Sequence, residues 1–336
     1  MLSVFIKGCG SDALQLASGE CWLKNVGGID GTFSGTCTNQ CVHLVDHQNH
    51  ISGRFDLTLM GQAHWYLSTR IIQAANFDIS LDQSRYCLSI VRKYLDTIGC
   101  ANVVREHTTP FPLDFIPTAD DNSVDETAAE VLSSEYNLDF ASCVGALIYL
   151  ALSRIDIIHA VNKMAKFTRR PGRNHFMALI HVLRYLRDNS YLGISFYSDV
   201  ERSPIHLMLG NSETPELSKE LFFTFSDSSW NDDVDTGRST GCYLISYLGG
   251  IVDHSSNLPD PVALSSAEAE YNEACLACMA TTHMRMLLDE LEGNKKPFWK
   301  VPLILDSKSA IAMGSSFRDT KHTRHILRRY LYVREG

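Results

Sequence analysis

At 336 residues, with 45% hydrophobic and 21% charged side chains, the chain can bury a substantial core and is too apolar for a disordered tail. Its formal net charge of −9 excludes a molecule wrapped on every side by nucleic acid, although a local basic face remains compatible with it. No apolar run reaches the ~18–20 residues of a membrane span, and "MLSVFIKGCG" lacks the apolar stretch of a secretory signal. The ten cysteines are therefore expected as reduced thiols in an intracellular compartment, cytoplasmic or nuclear.

Residues 1–53 are glycine-rich with weak periodicity and stay unassigned. Within "CTNQCVHLVDHQNH" (37–50), Cys37, Cys41, His43, His47 and His50 crowd together, but their spacing matches no familiar zinc pattern. "RFDLTLMGQAHWYLSTRIIQ" (54–73) predicts a turn around Gly61 leading into a strand. Asp82 then caps an amphipathic helix over "QSRYCLSIVRKYL", with Tyr86, Ile90, Val91 and Tyr94 on one side. Eight acids and no lysine or arginine between Asp114 and Asp139 predict a solvated connector.

Three helical patterns follow: "FASCVGALIYLAL", nearly all apolar and predicted buried; "IDIIHAVNKMAKFT"; and "NHFMALIHVLRYLR", which begins just after Pro171. Residues 161–187 hold Lys163, Lys166, Arg169, Arg170, Arg173, Arg184 and Arg187 with no acid, a sum of +7. Such a run is commonly a wet helix face. Its density and single sign within an acidic protein point instead to phosphate contact. "GNSETPELSKE" (210–220) is a second linker.

Beyond it the pattern changes to strands. "LFFTFSD" is a strand ending in an acid, and "CYLISYLGGIVDHSS" is two strands around Gly249-Gly250. A helix begins near Ser266, followed by the strand "VPLILDS", again ending in an acid, and a short helix "SAIAMG". The order β-β-β-α-β-α predicts a mixed sheet with helices packed on it. Cys275 and Cys278 form a CxxC inside an apolar helical stripe, where core packing explains them better than metal or redox chemistry.

Two glutamates open that long helix, and capping separates them. Ser265 and Glu268 fit the S-x-x-E capping box, in which serine accepts from the Glu268 amide and the glutamate returns the bond. Glu270 is left without a capping role, about 200° around the helix. Asp227 and Asp306 each end an apolar strand, and Glu270 lies in the helix between them. Three carboxylates gathered at one sheet edge would repel one another unless a cation sat between them. Mg²⁺ or Mn²⁺ suits such oxygen ligands, so Asp227, Glu270 and Asp306 are the candidate metal and catalytic residues.

These residues carry a resemblance. "FSDSSWNDDVDTGRSTGCYLISYLGG", "VALSSAEAEY", "LILDSKSAI" and "TRHILRRYLYVRE" resemble, in order and spacing, the ribonuclease H domain of Ty1/copia-type retrotransposon polyproteins. "RFDLTLMGQAHWYL", "ISLDQSRYCLSIVRKYL", "VGALIYLALSRIDIIHAVNKMAKF" and "RNHFMALIHVLRYLRD" are similar to the part of that family's reverse transcriptase that follows the palm. The resemblance covers roughly residues 54–336. It implies an α/β chain (α+β overall): a ribonuclease H-like mixed sheet with flanking helices at 219–336, preceded by a mainly helical thumb/connection-like remnant at 54–210.

The implied activity is metal-dependent cleavage of the RNA strand in an RNA–DNA hybrid, with Asp227, Glu270 and Asp306 on the family's acids and Leu327 where a fourth acid usually stands. Histidines 322 and 325 are candidates for assisting the leaving group. The family's polymerase Asp-Asp turn has no counterpart. Asp120-Asp121 lies in the connector, Asp232-Asp233 within the ribonuclease-like motif, and "HLVDH" has one acid too close to Phe55. No polymerase activity is therefore expected, and a chain stopping at Gly336 reads as a retroelement fragment. The implied partner is an RNA–DNA hybrid or other nucleic acid, with no membrane. It would be held by Lys163, Lys166, Arg169, Arg170 and Arg173 and by Lys321, Arg324, Arg328 and Arg329 in a net +4 segment at 318–335. The alternative is an inactive remnant that at most binds nucleic acid. It is favoured by Leu327, by the missing palm and by the early stop, while "HSSNLPDP", without lysine or arginine, implies a weaker grip on substrate near the site.

Overall fold

A computed structural model describes residues 64–96, 107–112, 115, 117–210, 220–259, 262–291 and 300–315. The Cys/His-rich stretch at 37–50, the turn at Gly61, most of the 210–220 linker and the basic segment from 318 onward lie outside the described residues.

The first part combines a small sheet with a helical core. Strands β1 (Trp65–Tyr66), β2 (Thr69–Gln73), β3 (Ile79–Asp82) and β4 (Ile194–Phe196) form an antiparallel sheet in that order. The alternation in "ISLD" drives it: Ile79 and Leu81 point inward with Ile71 while their neighbours are half-exposed. Only one of these strands stands out in the sequence, because the others are short. The region expected to be mainly helical therefore carries a sheet as well.

Helix α1 (Ser84–Tyr94) starts where the Ser84 amide donates to Asp82 Oδ1 at 2.8 Å, and it buries Cys87, Ile90, Val91 and Tyr94 at helical spacing. The connector read as solvated contains helix α2 (Glu126–Tyr136), capped by Asp125, which accepts from the Ala128 amide at 2.7 Å. Acids suit a helix N-terminus, and only Ala129 of α2 is buried, so its acidic composition hid its periodicity. Helix α3 (Phe140–Leu150) buries Phe140, Cys143, Val144, Leu147 and Leu150 against α1, α4 (Ile158–Ala165) and α5 (Arg173–Asp188). Ile148 on its outer side is 49% exposed, so α3 is not buried all round. Inside this core Arg154 is 1% exposed, and its Nε and Nη2 donate to Asp156 at 2.9 and 2.7 Å. Tyr185 also donates to Asp156, at 2.8 Å, so the buried cation is satisfied by a bidentate partner that is itself held.

After the short helix α6 (Pro204–Gly210) comes the second sheet: β5 (Phe222–Asp233), β6 (Arg238–Tyr247), β7 (Gly250–Asn257) and β8 (Leu303–Ile304), in the order β7-β6-β5-β8. β5–β6 and β6–β7 are antiparallel, whereas β8 joins β5 in parallel after the long helix α7 (Ser266–Leu291). Helix α8 (Lys308–Ser315) follows. This is the mixed sheet with packed helices that the pattern implied. Phe222 and Ile245 pack on Met284 and Leu288 of α7, and Thr224 shares a 2.7 Å hydroxyl contact with Thr281.

Candidate metal centre

Alternation along β5 sets the site. Phe222, Thr224 and Ser226 are buried on one face and Phe223 on the other, and Asp227 is the first exposed residue of the strand. Asp227 does not end its strand, contrary to the sequence reading. β5 continues through polar "SSWNDD" to Asp233, with Ser228 and Ser229 opposite Gly241 and Thr240 and an irregularity before Asp233. That tail lacks apolar alternation, so pairing with β6 alone makes it a strand. The parallel pairing with β8 stops at Phe225, and Asp227 lies two residues beyond.

Glu270 comes from α7, one residue past its first turn, and Asp306 lies two residues beyond β8. The two glutamates divide their work as the spacing implied. The Glu268 amide donates to Ser265 Oγ at 3.2 Å, and Glu268 Oε2 accepts from the Leu264 amide at 2.9 Å, one residue earlier than a standard capping box. Asp227, Glu270 and Asp306 each offer an oxygen, and these oxygens lie within 4.8 Å of one another.

The environment of Glu270 is electrostatically costly. It is buried, and its Oε2 has no hydrogen-bond partner. Burial first, then the charges of Asp227 and Asp306, push its carboxyl up to about 7, while the Ser228 amide pulls the other way. A divalent cation is the partner that an orphaned buried oxygen between two further carboxylates can accept, so the residues fit one.

Glu273, one turn further on, escaped sequence analysis. It is fully buried, and neither carboxylate oxygen has a hydrogen-bond partner. A Cβ on Gly241 would fall 1.9 Å from Glu273 Oε2, so the glycine makes the room. The available signal was its i+3 spacing from Glu270, which places both on one helix side. Cys242, opposite Asp227 on β6, has its thiol pushed up to about 11 by burial and then by Asp227 and Glu273, which makes it a poor nucleophile. Neither Cys275 nor Cys278 forms a disulfide, and burial pushes Cys278 up to about 11, in keeping with packing.

The predicted nucleic-acid-binding cations are engaged within the chain. Lys163 and Lys166 pair with Asp232 and Asp233 at 2.7 and 2.5 Å, Arg169 with Glu126 at 2.8 Å, and Arg173 with Glu135 at 2.8 Å. Arg170 reaches the Val124 carbonyl at 3.5 Å. The stretch is acid-free in sequence but balanced in space, by α2 and by the tip of β5. Lys321, Arg324, Arg328 and Arg329, together with Leu327, lie outside the described residues. Among the described residues, no helix is long and apolar enough to cross a membrane.

The chain is 26% identical over 287 residues to the retrovirus-related Pol polyprotein from transposon TNT 1-94 of Nicotiana tabacum, an alignment covering 85% of this chain and 19% of that protein. It is 34% identical over 154 residues to the Pol polyprotein from transposon RE1 of Arabidopsis thaliana, covering 46% of this chain and 9% of the relative. These matches mark the chain as retrotransposon-derived and similar to Ty1/copia-type Pol polyproteins. As a retrotransposon-derived chain it spans about a fifth or less of those two relatives. The chain is also 35% identical over 136 residues to the secreted RxLR effector protein 161 of Plasmopara viticola, covering 40% of this chain and 83% of that protein. No protein-family model matches the chain, and no solved structure does.

Proposed function

We propose that residues 219–336 form a ribonuclease H module that hydrolyses the RNA strand of an RNA–DNA hybrid, joined to a reverse-transcriptase-derived part at 54–210. The observation that carries this is the meeting of three acids from separate elements within 4.8 Å, one of them buried with an orphaned oxygen. Asp227, Glu270 and Asp306 would hold Mg²⁺ or Mn²⁺. Such a cation, when bound, polarises a phosphodiester and lowers the pKa of a water. The chain's own part is to keep Glu270 in a pocket that favours its protonated form until a cation arrives, and to steady Asp227, whose Oδ1 accepts from the Ser228 amide at 2.8 Å. Arg169 and Arg173 would contact phosphates, because their ion pairs are well exposed and such pairs are weak.

The second reading is a remnant that binds nucleic acid without cleaving it, and Leu327 at the usual fourth-acid place favours it. A labelled hybrid incubated with Mg²⁺ or Mn²⁺, and then with EDTA, separates the two. RNA cleavage that EDTA and Asp227→Asn both abolish supports the enzyme. Salt-sensitive binding without cleavage selects the remnant.

A further inference from the structure

A cavity of about 270 Å³ lies where α4 meets the second sheet. His159, Lys163 and Lys166 line it from α4 and its C-terminal end, and Thr240, Ser256 and Asn257 line it from β6 and β7. Asn162 holds α4 to this place by donating to the Ser256 carbonyl at 2.5 Å. No carboxylate lines the cavity, because Asp232 and Asp233, the partners of the two lysines, stand outside its wall. An ammonium group carries three N–H donors, and each aspartate takes one, which leaves the others to turn toward a bound anion.

The sheet register links this cavity to the acids. Asp227 pairs with Cys242, and Cys242 with Ser256, so the three side chains form a row on one face. Strands lie about 4.8 Å apart, which puts Ser256 roughly 10 Å from Asp227. Phosphates recur along a nucleic-acid strand at a spacing shorter than this gap, so it corresponds to a few nucleotides at most. We propose that the cavity seats a backbone phosphate a few nucleotides from the bond at the acidic cluster. This rests on the reading that the cluster acts on a nucleic-acid strand. Two ammonium groups, the Ser256 hydroxyl and a side-chain amide around one space match the several acceptor oxygens of a phosphate, whereas the Thr240 hydroxyl is already given to Asp232 at 2.7 Å. His159 supplies an internal reporter. Burial first and then Lys163 hold its imidazole below the usual range, with Lys166 adding to this and Asp232 opposing it. A phosphate beside it would move that value upward.

The test keeps the full chain in EDTA, so that cleavage plays no part. The His159 ring resonance, assigned by its loss in His159→Gln, is followed by NMR against pH with inorganic phosphate and with a short RNA–DNA hybrid. The hybrid is expected to shift the resonance and raise the His159 pKa. Lys166→Gln combined with Asp233→Asn, which removes one charge of each sign, is expected to weaken hybrid binding about 10-fold and lower the slope of log affinity against log salt by about 1. A hybrid that binds and leaves His159 unmoved overturns the proposal, as does one that does not bind. A response to inorganic phosphate alone also overturns it, by leaving the cavity to a free anion. The unsubstituted protein decides the matter even where the double variant does not fold. Absent cleavage in Mg²⁺ with a His159 response intact would count against the nuclease reading alone.

Discussion

Glu273 and Glu270 are both buried, and their carboxyls are both pushed up to about 7. For Glu273 the causes are burial first and then the charge of Glu270. A carboxyl raised in the folded state makes that state bind protons more tightly than the unfolded chain. Its contribution is therefore present below the unfolded value of 4.5 and is lost as pH rises toward about 7. Glu273→Gln is expected to stabilise the protein at pH 8 by about 1–3 kcal/mol and to have little effect at pH 4, as measured by thermal unfolding across that range. Equal effects at both pH values would mean that the carboxyl is already paired. At Glu270 the same shift couples to cation binding, which requires the carboxylate. Calorimetric affinity for Mn²⁺ is expected to rise from pH 5.5 to 8 with proton release, and Asp306→Asn is expected to flatten that rise. Capping chemistry made Glu270 legible in the sequence, because Ser265 and Glu268 accounted for each other. Glu273 was not legible: a polar residue within an apolar stripe reads as a solvated position until the sheet is seen to cover it.

Strands were legible where side chains alternate or a turn demands particular residues. Leu248 and Gly249 both have positive φ, 51° and 75°, which suits the tight hairpin between β6 and β7 and explains why the double glycine marked it. Gly250 answers a different need. A Cβ there would fall 2.6 Å from the Phe196 ring and 2.8 Å from the Ser195 carbonyl, where the first sheet's last strand abuts the hairpin. Gly250→Ala should cost about 1–3 kcal/mol in urea unfolding, because one obstacle is backbone and cannot swing aside. A neutral effect would mean that β4 and the hairpin can separate. β1, β4 and the tail of β5 were illegible for one reason. Each is short or polar and held by backbone pairing to its neighbour in the sheet, so its own composition carries little pattern. Helix α2 was missed because one buried residue per helix gives no periodicity to find.

Across the molecule, the first part and the second sheet are joined by charge as well as by packing. Lys163 and Lys166 reach Asp232 and Asp233, and the Ala119 amide donates to Asp235 at 3.0 Å beside them. The basic run at 161–187 and "NDDVD" are about seventy residues apart, so their mutual neutralisation could not be read from either stretch. Both aspartates show the strength of the junction. Burial raises their carboxyls, but hydrogen bonds from Lys163 and Thr240 to Asp232, and from Lys166 and Thr236 to Asp233, outweigh it and hold both below the ordinary carboxylate value. A depressed folded value contributes stability above the unfolded value of 3.8 and loses it as pH falls further. Asp232→Asn with Asp233→Asn should therefore lower stability at pH 7 by about 1–2 kcal/mol, since partial exposure screens these pairs. The difference should shrink steadily below pH 4, and raising salt at pH 7 should narrow it as well. A double variant as stable as the parent at pH 7 would leave the junction to Asn162, Ala119 and apolar packing. The two lysines would then be charges held in reserve for a phosphate.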